Sequence, residues 1–214
     1  MNGIFEYERK GRLSPARRIV LMSGSPRRQA LLQELHPRIA QVSVAERAIQ
    51  ERFFEENRQR PFLERAARTC CELARAKSGD EREEESLYIS ADTMVLHHDE
   101  IYNKPLDEQD AYRMLYSYFG QVHHVVTAVC LREGANYELF YSLTAVRFVA
   151  PFEKLSQELW RYIQSGGPMD KAGAYGIQEI PCAWVEKIEG DYETIIGLPV
   201  SEVIKRISMK GEGN

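Results

Sequence analysis

The sequence predicts an α/β protein built on a mixed sheet, and three observations predict it. Short apolar runs alternate with helix-patterned segments through the first half of the chain, the arrangement of strands joined by crossover helices. Two longer strand-like runs, 122–132 and 137–149, are separated only by the polar turn Glu133-Gly134-Ala135-Asn136. They read as a hairpin, which adds an antiparallel element. The chain has 214 residues, 43% hydrophobic and 28% charged, ordinary globular material sufficient for one large domain or two small lobes.

The elements follow in order. Residues 1–17, rich in Glu, Arg and Lys, read as a polar extension ahead of the first strand. Residues 18–208 form the domain, and 209–214 are a tail. The apolar run 18–23 is a strand. Ser25 is a suitable N-cap and Pro26 suits the first helical position, so a helix follows over 26–36. Further strands are expected at 39–44, 87–96 and 182–188, and further helices at 61–78, 107–118, 152–165 and 199–208. Asp107 caps the helix that follows it, with Asp110 three residues on. The charge-dense stretches 46–60 and 77–86 read as solvated helix ends or loops. A boundary between lobes is expected near 105–121 or near 165–180, the latter marked by Gly166-Gly167-Pro168.

Composition excludes several function classes. The net charge of −4 is not the electrostatic footprint of a nucleic-acid binder, so an anionic ligand must be held by a local basic cluster. No apolar run reaches bilayer length, and there is no apolar leader segment, so neither a membrane nor secretion is expected. The four cysteines show no C-x-x-C spacing; reduced, buried thiols and a cytoplasmic location follow. The doublets His97-His98 and His123-His124 lie in strand-like runs, where neighbouring side chains point to opposite faces, which disfavours a histidine metal site. Walker A, G-x-S-x-G and H-E-x-x-H patterns do not occur.

Four clusters carry chemistry. In Ser23-Gly24-Ser25-Pro26-Arg27-Arg28, two cations stand at a helix start whose own dipole is positive, a conflict that a bound phosphate would relieve. In Ile89-Ser90-Ala91-Asp92-Thr93, a lone carboxylate interrupts an apolar strand, and its burial calls for a cation or a metal. Lys104, in the turn Tyr102-Asn103-Lys104-Pro105, follows by a strand-loop return that brings it to the same rim as Asp92. Glycine-rich residues 166–178 hold Asp170 and Lys171 for charge and Gln178 as an amide able to read a base edge. Glu189-Gly190-Asp191-Tyr192, with Gly197-Leu198-Pro199, reads as a largely structural turn entering the last helix.

Taken together, Ser23 to Arg28, Ala91-Asp92-Thr93, Lys104-Pro105, His123 to Val129, Asp170-Lys171-Ala172-Gly173-Ala174-Tyr175-Gly176-Ile177-Gln178, and the Glu189 and Gly197 turns resemble the Maf nucleotide pyrophosphatases, in order and in spacing, across about residues 18–207. The resemblance implies an elongated, twisted mixed sheet flanked by helices, with two lobes around a cleft. It implies hydrolysis of a nucleoside triphosphate to monophosphate and pyrophosphate with magnesium or manganese. Thr93, Tyr175 and Gln178 look like the subgroup acting on dTTP and UTP. It implies Asp92 as catalytic acidic residue and metal ligand. Arg27, Thr93 and Gln178 match substrate-selecting positions, Lys104 and Lys171 match phosphate-facing lysines, and Ser23, Ser25, Arg28 and Asp170 belong to the same substrate-binding motifs. A homodimer is a further implication.

Three departures stand out. The family has an acidic stretch after the second strand whose glutamate helps bind metal; here Arg47 takes that place, leaving Glu46 or Glu51 to substitute. Asn103 stands where the family has glycine, a turn Asn also tolerates. Glu179 replaces a glycine after Gln178, adding negative charge beside a triphosphate. The departures raise a second reading, a catalytically weakened nucleotide-binding regulator of cell division or septum formation.

Overall fold

A computed structural model describes residues 2–14, 18–79 and 85–208. Its strands are β1 (Gly3–Lys10), β2 (Arg18–Met22), β3 (Arg38–Ala40), β4 (Ser86–His97), β5 (Glu100–Tyr102), β6 (Val122–Glu133), β7 (Asn136–Phe148) and β8 (Val185–Glu189). Its helices are α1 (Pro26–Leu31), α2 (Glu46–Glu56), α3 (Phe62–Ser78), α4 (Glu108–Tyr118), α5 (Leu155–Gln164), α6 (Tyr192–Ile196) and α7 (Val200–Ser208). The strands form one sheet in the order β1-β7-β6-β4-β2-β3, with β5 added to β4 and β8 to β7. β2 runs parallel to β3 and β4, and the remaining pairings are antiparallel. The sheet is therefore mixed, with the predicted hairpin β6–β7 at its centre.

Strand alternation sorts the core. Leu87, Ile89 and Ala91 of β4 pack with Leu21, Leu32, Leu198 and Val203 on the face covered by α1 and α7. Met94 and Leu96 pack on the other face, against Ala66, Cys70, Leu73 and Ala74 of α3. A further cluster, built from Leu115 and Tyr118 of α4, Leu159 and Ile163 of α5, Tyr175 and Trp184, fills the end of the molecule that carries the glycine-rich segment.

Several elements differ from the sequence expectation. The supposed polar extension contains β1, an edge strand paired antiparallel with β7. Phe5 stacks on Tyr141 with centroids 5.0 Å apart, and the Tyr7 hydroxyl donates to Glu72, while Glu6 pairs with Arg206. Residues 46–60 hold the 11-residue helix α2 rather than a loop. The strand expected at 39–44 shrinks to Arg38–Ala40. α1 ends at Leu31 and a 3₁₀ turn, Gln33–Leu35, replaces its second half. Short β5 and α6 were not foreseen, and Cys182–Trp184 is a 3₁₀ turn ahead of β8. α3 runs to Ser78 and stops at Gly79, with φ +75°. Residues 80–84 and the tail 209–214 lie outside the described residues.

One feature of the sheet positions the site. β2 pairs with β4 only up to Leu21↔Ile89, and β5 joins β4 from Val95↔Tyr102 onward. Among the described residues, positions 90–94 therefore pair on the β6 side alone. The gap opens at the carboxyl end of parallel strands, where open α/β sheets place their ligands.

Candidate active site

Asp92 and Thr93 sit in that gap. Being consecutive on a strand, they project to opposite faces, so each meets a different helix. Asp92 points to α3. Its Oδ1 accepts from Lys77 Nζ at 2.6 Å, and the same ammonium lies 3.0 Å from Glu46 Oε1, at the start of α2. Cys70 Sγ stands 3.3 Å from the Asp92 carbonyl oxygen and 3.7 Å from Oδ2. Burial, reinforced by Asp92, pushes the Cys70 thiol well up, so it stays protonated. Burial alone would draw the Lys77 ammonium down, but Asp92 and Glu46 more than offset it and its pKa stands above the ordinary lysine value.

Thr93 points to α1. Arg28 Nη2 donates to Thr93 Oγ1 at 3.0 Å, and Arg28 Nε donates to the Gly197 carbonyl at 2.7 Å. Thr127, directly across from Thr93 on β6, donates its hydroxyl proton to the Thr194 carbonyl at 2.8 Å. Its contact with Thr93, 2.9 Å, must therefore run from Thr93 to Thr127, because a hydroxyl has one proton. A directed chain results, Arg28 to Thr93 to Thr127 to Thr194, which fixes the orientation of Thr93. Burial lowers the Arg28 guanidinium and nearby Asp92 works against that, which couples the two faces of the strand electrostatically. Asp191 is the N-cap of α6, accepting from Thr194 N at 2.7 Å.

The Ser23 to Arg28 turn differs from the expected helix-dipole anion site. α1 has six residues, too few for a substantial macrodipole. Its free amides are partly used: Ser25 N donates to Ser23 Oγ at 3.2 Å, and Arg28 N to Ser25 Oγ at 3.5 Å. The serines shape the turn, and the two arginine side chains carry the charge.

The glycine-rich segment closes from the other side. Arg27 Nη1 lies 3.8 Å from Asp170 Oδ2, linking α1 to this loop. Burial works against the Asp170 carboxylate, but Lys171 and Arg27 hold it below its ordinary range. Lys171 is buried and differs from an open phosphate-facing lysine. Its ammonium donates to Gly167 O at 2.6 Å and to Asp170 Oδ1 at 2.8 Å, and forms an ion pair with Glu179 Oε2 at 2.9 Å. Lys104 and Gln178 are exposed; Lys104 is held beside the loop because Gly173 N donates to the Asn103 carbonyl at 3.1 Å. Three rings anchor the loop itself. Tyr118 donates to Gly173 O at 2.9 Å, Tyr162 accepts from Gly176 N at 3.2 Å, and His123 Nε2 meets the Tyr175 hydroxyl at 2.7 Å. Gly173 has φ +71°, and a Cβ there would meet Val95 and the Tyr118 hydroxyl at 2.8 Å, so the loop can seat this closely only with glycine.

The two candidate glutamates are placed differently. Glu51 forms an exposed pair with Arg47 at 2.8 Å, with the Arg47 side chain 92% exposed, so neither enters the centre. Glu46 does. In the sequence Lys77 opens the charged stretch 77–86, which hides its place in the centre. A signal existed: Cys70, Leu73, Ala74 and Lys77 recur at helical spacing, so Lys77 extends the apolar stripe of α3 rather than its solvated face. Thr127 carried no such signal, since a threonine in a strand is ordinary.

The donor set suits a divalent cation. Asp92 and Glu46 already converge on one positive charge, and among the described residues no group of three or more His, Cys, Asp or Glu forms a complete cage. Magnesium is commonly held by one or two carboxylates, with waters and substrate phosphates completing the shell.

An α/β mixed sheet with a carboxylate in a gap between its strands, paired with Lys77 on one face and backed by Arg28 on the other, defines the candidate centre. The chain belongs to the Maf-like protein family, whose model matches residues 18–209. It is 34% identical over 195 residues, 90% of this chain and 96% of the relative, to the dTTP/UTP pyrophosphatase of Halalkalibacterium halodurans. It is 40% identical over 187 residues, 86% of this chain and 90% of the relative, to the dTTP/UTP pyrophosphatase of Chromobacterium violaceum. A human protein named probable bifunctional dTTP/UTP pyrophosphatase/methyltransferase is 34% identical over 203 residues, 89% of this chain and 32% of the human protein.

Proposed function

We propose that this chain hydrolyses nucleoside triphosphates, dTTP and UTP foremost, to the monophosphate and pyrophosphate. The observation that carries the reading is the Glu46–Lys77–Asp92 cluster, with Arg28 on the other face of the same strand. Relatives named for this activity align over most of the chain. Arg27 and Arg28 receive the phosphates, Lys104 adds charge from the rim, and Gln178 and Thr93 select the base. Water attacks a phosphorus of the triphosphate, the phosphoanhydride bond breaks and pyrophosphate leaves. Asp92 accepts the proton of that water. Lys77 and Arg28 stabilise the negative charge that grows on the phosphate oxygens, in a site where such fixed charges act strongly. Asp92 and Glu46 would hold the magnesium or manganese ion, which when bound supplies further positive charge against the phosphates.

The regulator reading rested on Arg47, and that side chain is directed into solvent; no observation favours it. A cytoplasmic location is part of the same proposal, supported by four free thiols, three of them buried. No helix among the described residues is long and apolar enough to cross a membrane. A homodimer is proposed from family membership and is checked by light scattering. The function is tested by a pyrophosphate-release screen across common triphosphates with several divalent ions. Turnover led by dTTP or UTP is expected; binding with no pyrophosphate from any substrate would overturn the proposal.

A further inference from the structure

The glycine-rich loop carries an ion chain that starts at Arg27 and continues through groups with no part in the proposed reaction: Arg27 to Asp170, Asp170 to Lys171, Lys171 to Glu179. Its formal charges sum to zero. Glu179 completes that balance. Its carboxylate rests in a notch lined by glycine backbone, where a Cβ on Gly176 would meet Oε1 at 3.0 Å and one on Gly167 would meet Oε2 at 3.3 Å. There it pairs with the buried Lys171 ammonium, whose hydrogen bonds go to Gly167 O and Asp170 Oδ1. A phosphate approaching the Lys171 ammonium must compete with one of these three partners. Of the three, Gly167 O is backbone and Asp170 is also held by Arg27, whereas the Glu179 side chain is 39% exposed.

We propose that Glu179 is an internal competitor for polyphosphate, the counter-ion that sets how tightly this site holds a triphosphate. The inference rests on the nucleotide reading of the site, but it concerns charge rather than turnover. It assigns Glu179 to phosphate affinity and leaves base choice to other residues. Removing its charge while keeping its shape leaves Lys171 with one uncompensated positive charge facing the loop.

The test is titration of the full chain with dTTP, without turnover, and separately with inorganic tripolyphosphate, which has no base. Glu179→Gln should tighten both by about three- to fivefold, the scale of a partly exposed ion pair, and the gain should shrink with added salt. Glu189→Gln, on β8 and paired with Lys187, removes the same formal charge elsewhere and should change neither. A melting curve confirms folding of each variant, and Glu179→Gly repeats the measurement should Gln not be tolerated. Unchanged or weaker binding in the Glu179 variants overturns the proposal, as does tightening for dTTP alone or equal tightening in Glu189→Gln. Failure of the wild-type chain to release pyrophosphate would defeat the functional reading while leaving the tripolyphosphate result to decide this one.

Discussion

Replacing Lys77 by Met removes the ammonium that directly pairs with both Asp92 and Glu46 while keeping most of the side-chain volume. At an effective dielectric of about 20, the Lys77–Asp92 contact at 2.6 Å is worth roughly 6 kcal/mol of Coulomb energy. Desolvation of both groups offsets much of this, and Glu46, 60% exposed, is heavily screened. Removing one partner of a buried pair characteristically costs about 3–5 kcal/mol, because the other charge is left uncompensated. Lys77 retains 17% exposure, so we take the lower end, about 3 kcal/mol. For a chain of this size that is a fall of roughly 6–12 °C in Tm. Urea unfolding and thermal melts, neither dependent on turnover, read the effect. Because its pKa is raised, Lys77 contributes while protonated in both states, and the contribution is lost as pH rises above about 10.5. The wild-type advantage should thus be constant at neutral pH and fade only in strong base. A loss below about 1 kcal/mol would refute the buried-pair argument, since it would place the cluster among solvent-screened surface pairs.

Three further outcomes are expected. Burial, with His97 and His124 adding to it, holds His123 well below its ordinary value, so the folded state keeps it neutral where the unfolded chain protonates. Stability then falls as pH drops below about 6.5, by up to about 1.4 kcal/mol per pH unit for this group; His123→Phe should flatten that slope in melts between pH 4.5 and 7, and an unchanged slope would sink the assignment. Gln178→Ala should raise KM for dTTP and UTP by up to about tenfold, the worth of a good hydrogen bond, while leaving other triphosphates nearly unaffected; equal losses for every base would end its selecting role. Arg47→Ala should leave Tm and pyrophosphate release unchanged, since its side chain is in solvent; a large loss of rate would restore Arg47 to the site.

Local chemistry was legible wherever it determined local structure. The β6–β7 hairpin announced itself through its polar turn, α4 through Asp107, whose carboxylate accepts from Asp110 N at 2.8 Å, and the site through a carboxylate stranded in an apolar strand. Elements decided by tertiary contact were less legible. β1 carries as many charges as a solvated arm, and only its pairing with β7 shows that Phe5 and Tyr7 alternate against Glu6 and Glu8. α2 has no side-chain cap and a weak apolar face, so nothing local set it apart from a loop; its packing on α3 is what delivers Glu46 to Lys77. Lys171 shows the converse. Its residue type promised a free phosphate donor, and only the fold reveals two acceptors and a second carboxylate already in place.

The most direct test of the central claim, that one carboxylate in the β4 gap performs the hydrolysis, is pyrophosphate release by Asp92→Asn. Asn keeps the shape and an acceptor for Lys77, so the variant should fold and still bind dTTP, while kcat falls by at least about a thousandfold, in the upper part of the range for general-base removal because charge toward the cation is lost as well. Release within tenfold of the wild-type rate by a folded Asp92→Asn would contradict the account and move the reaction to another part of the molecule.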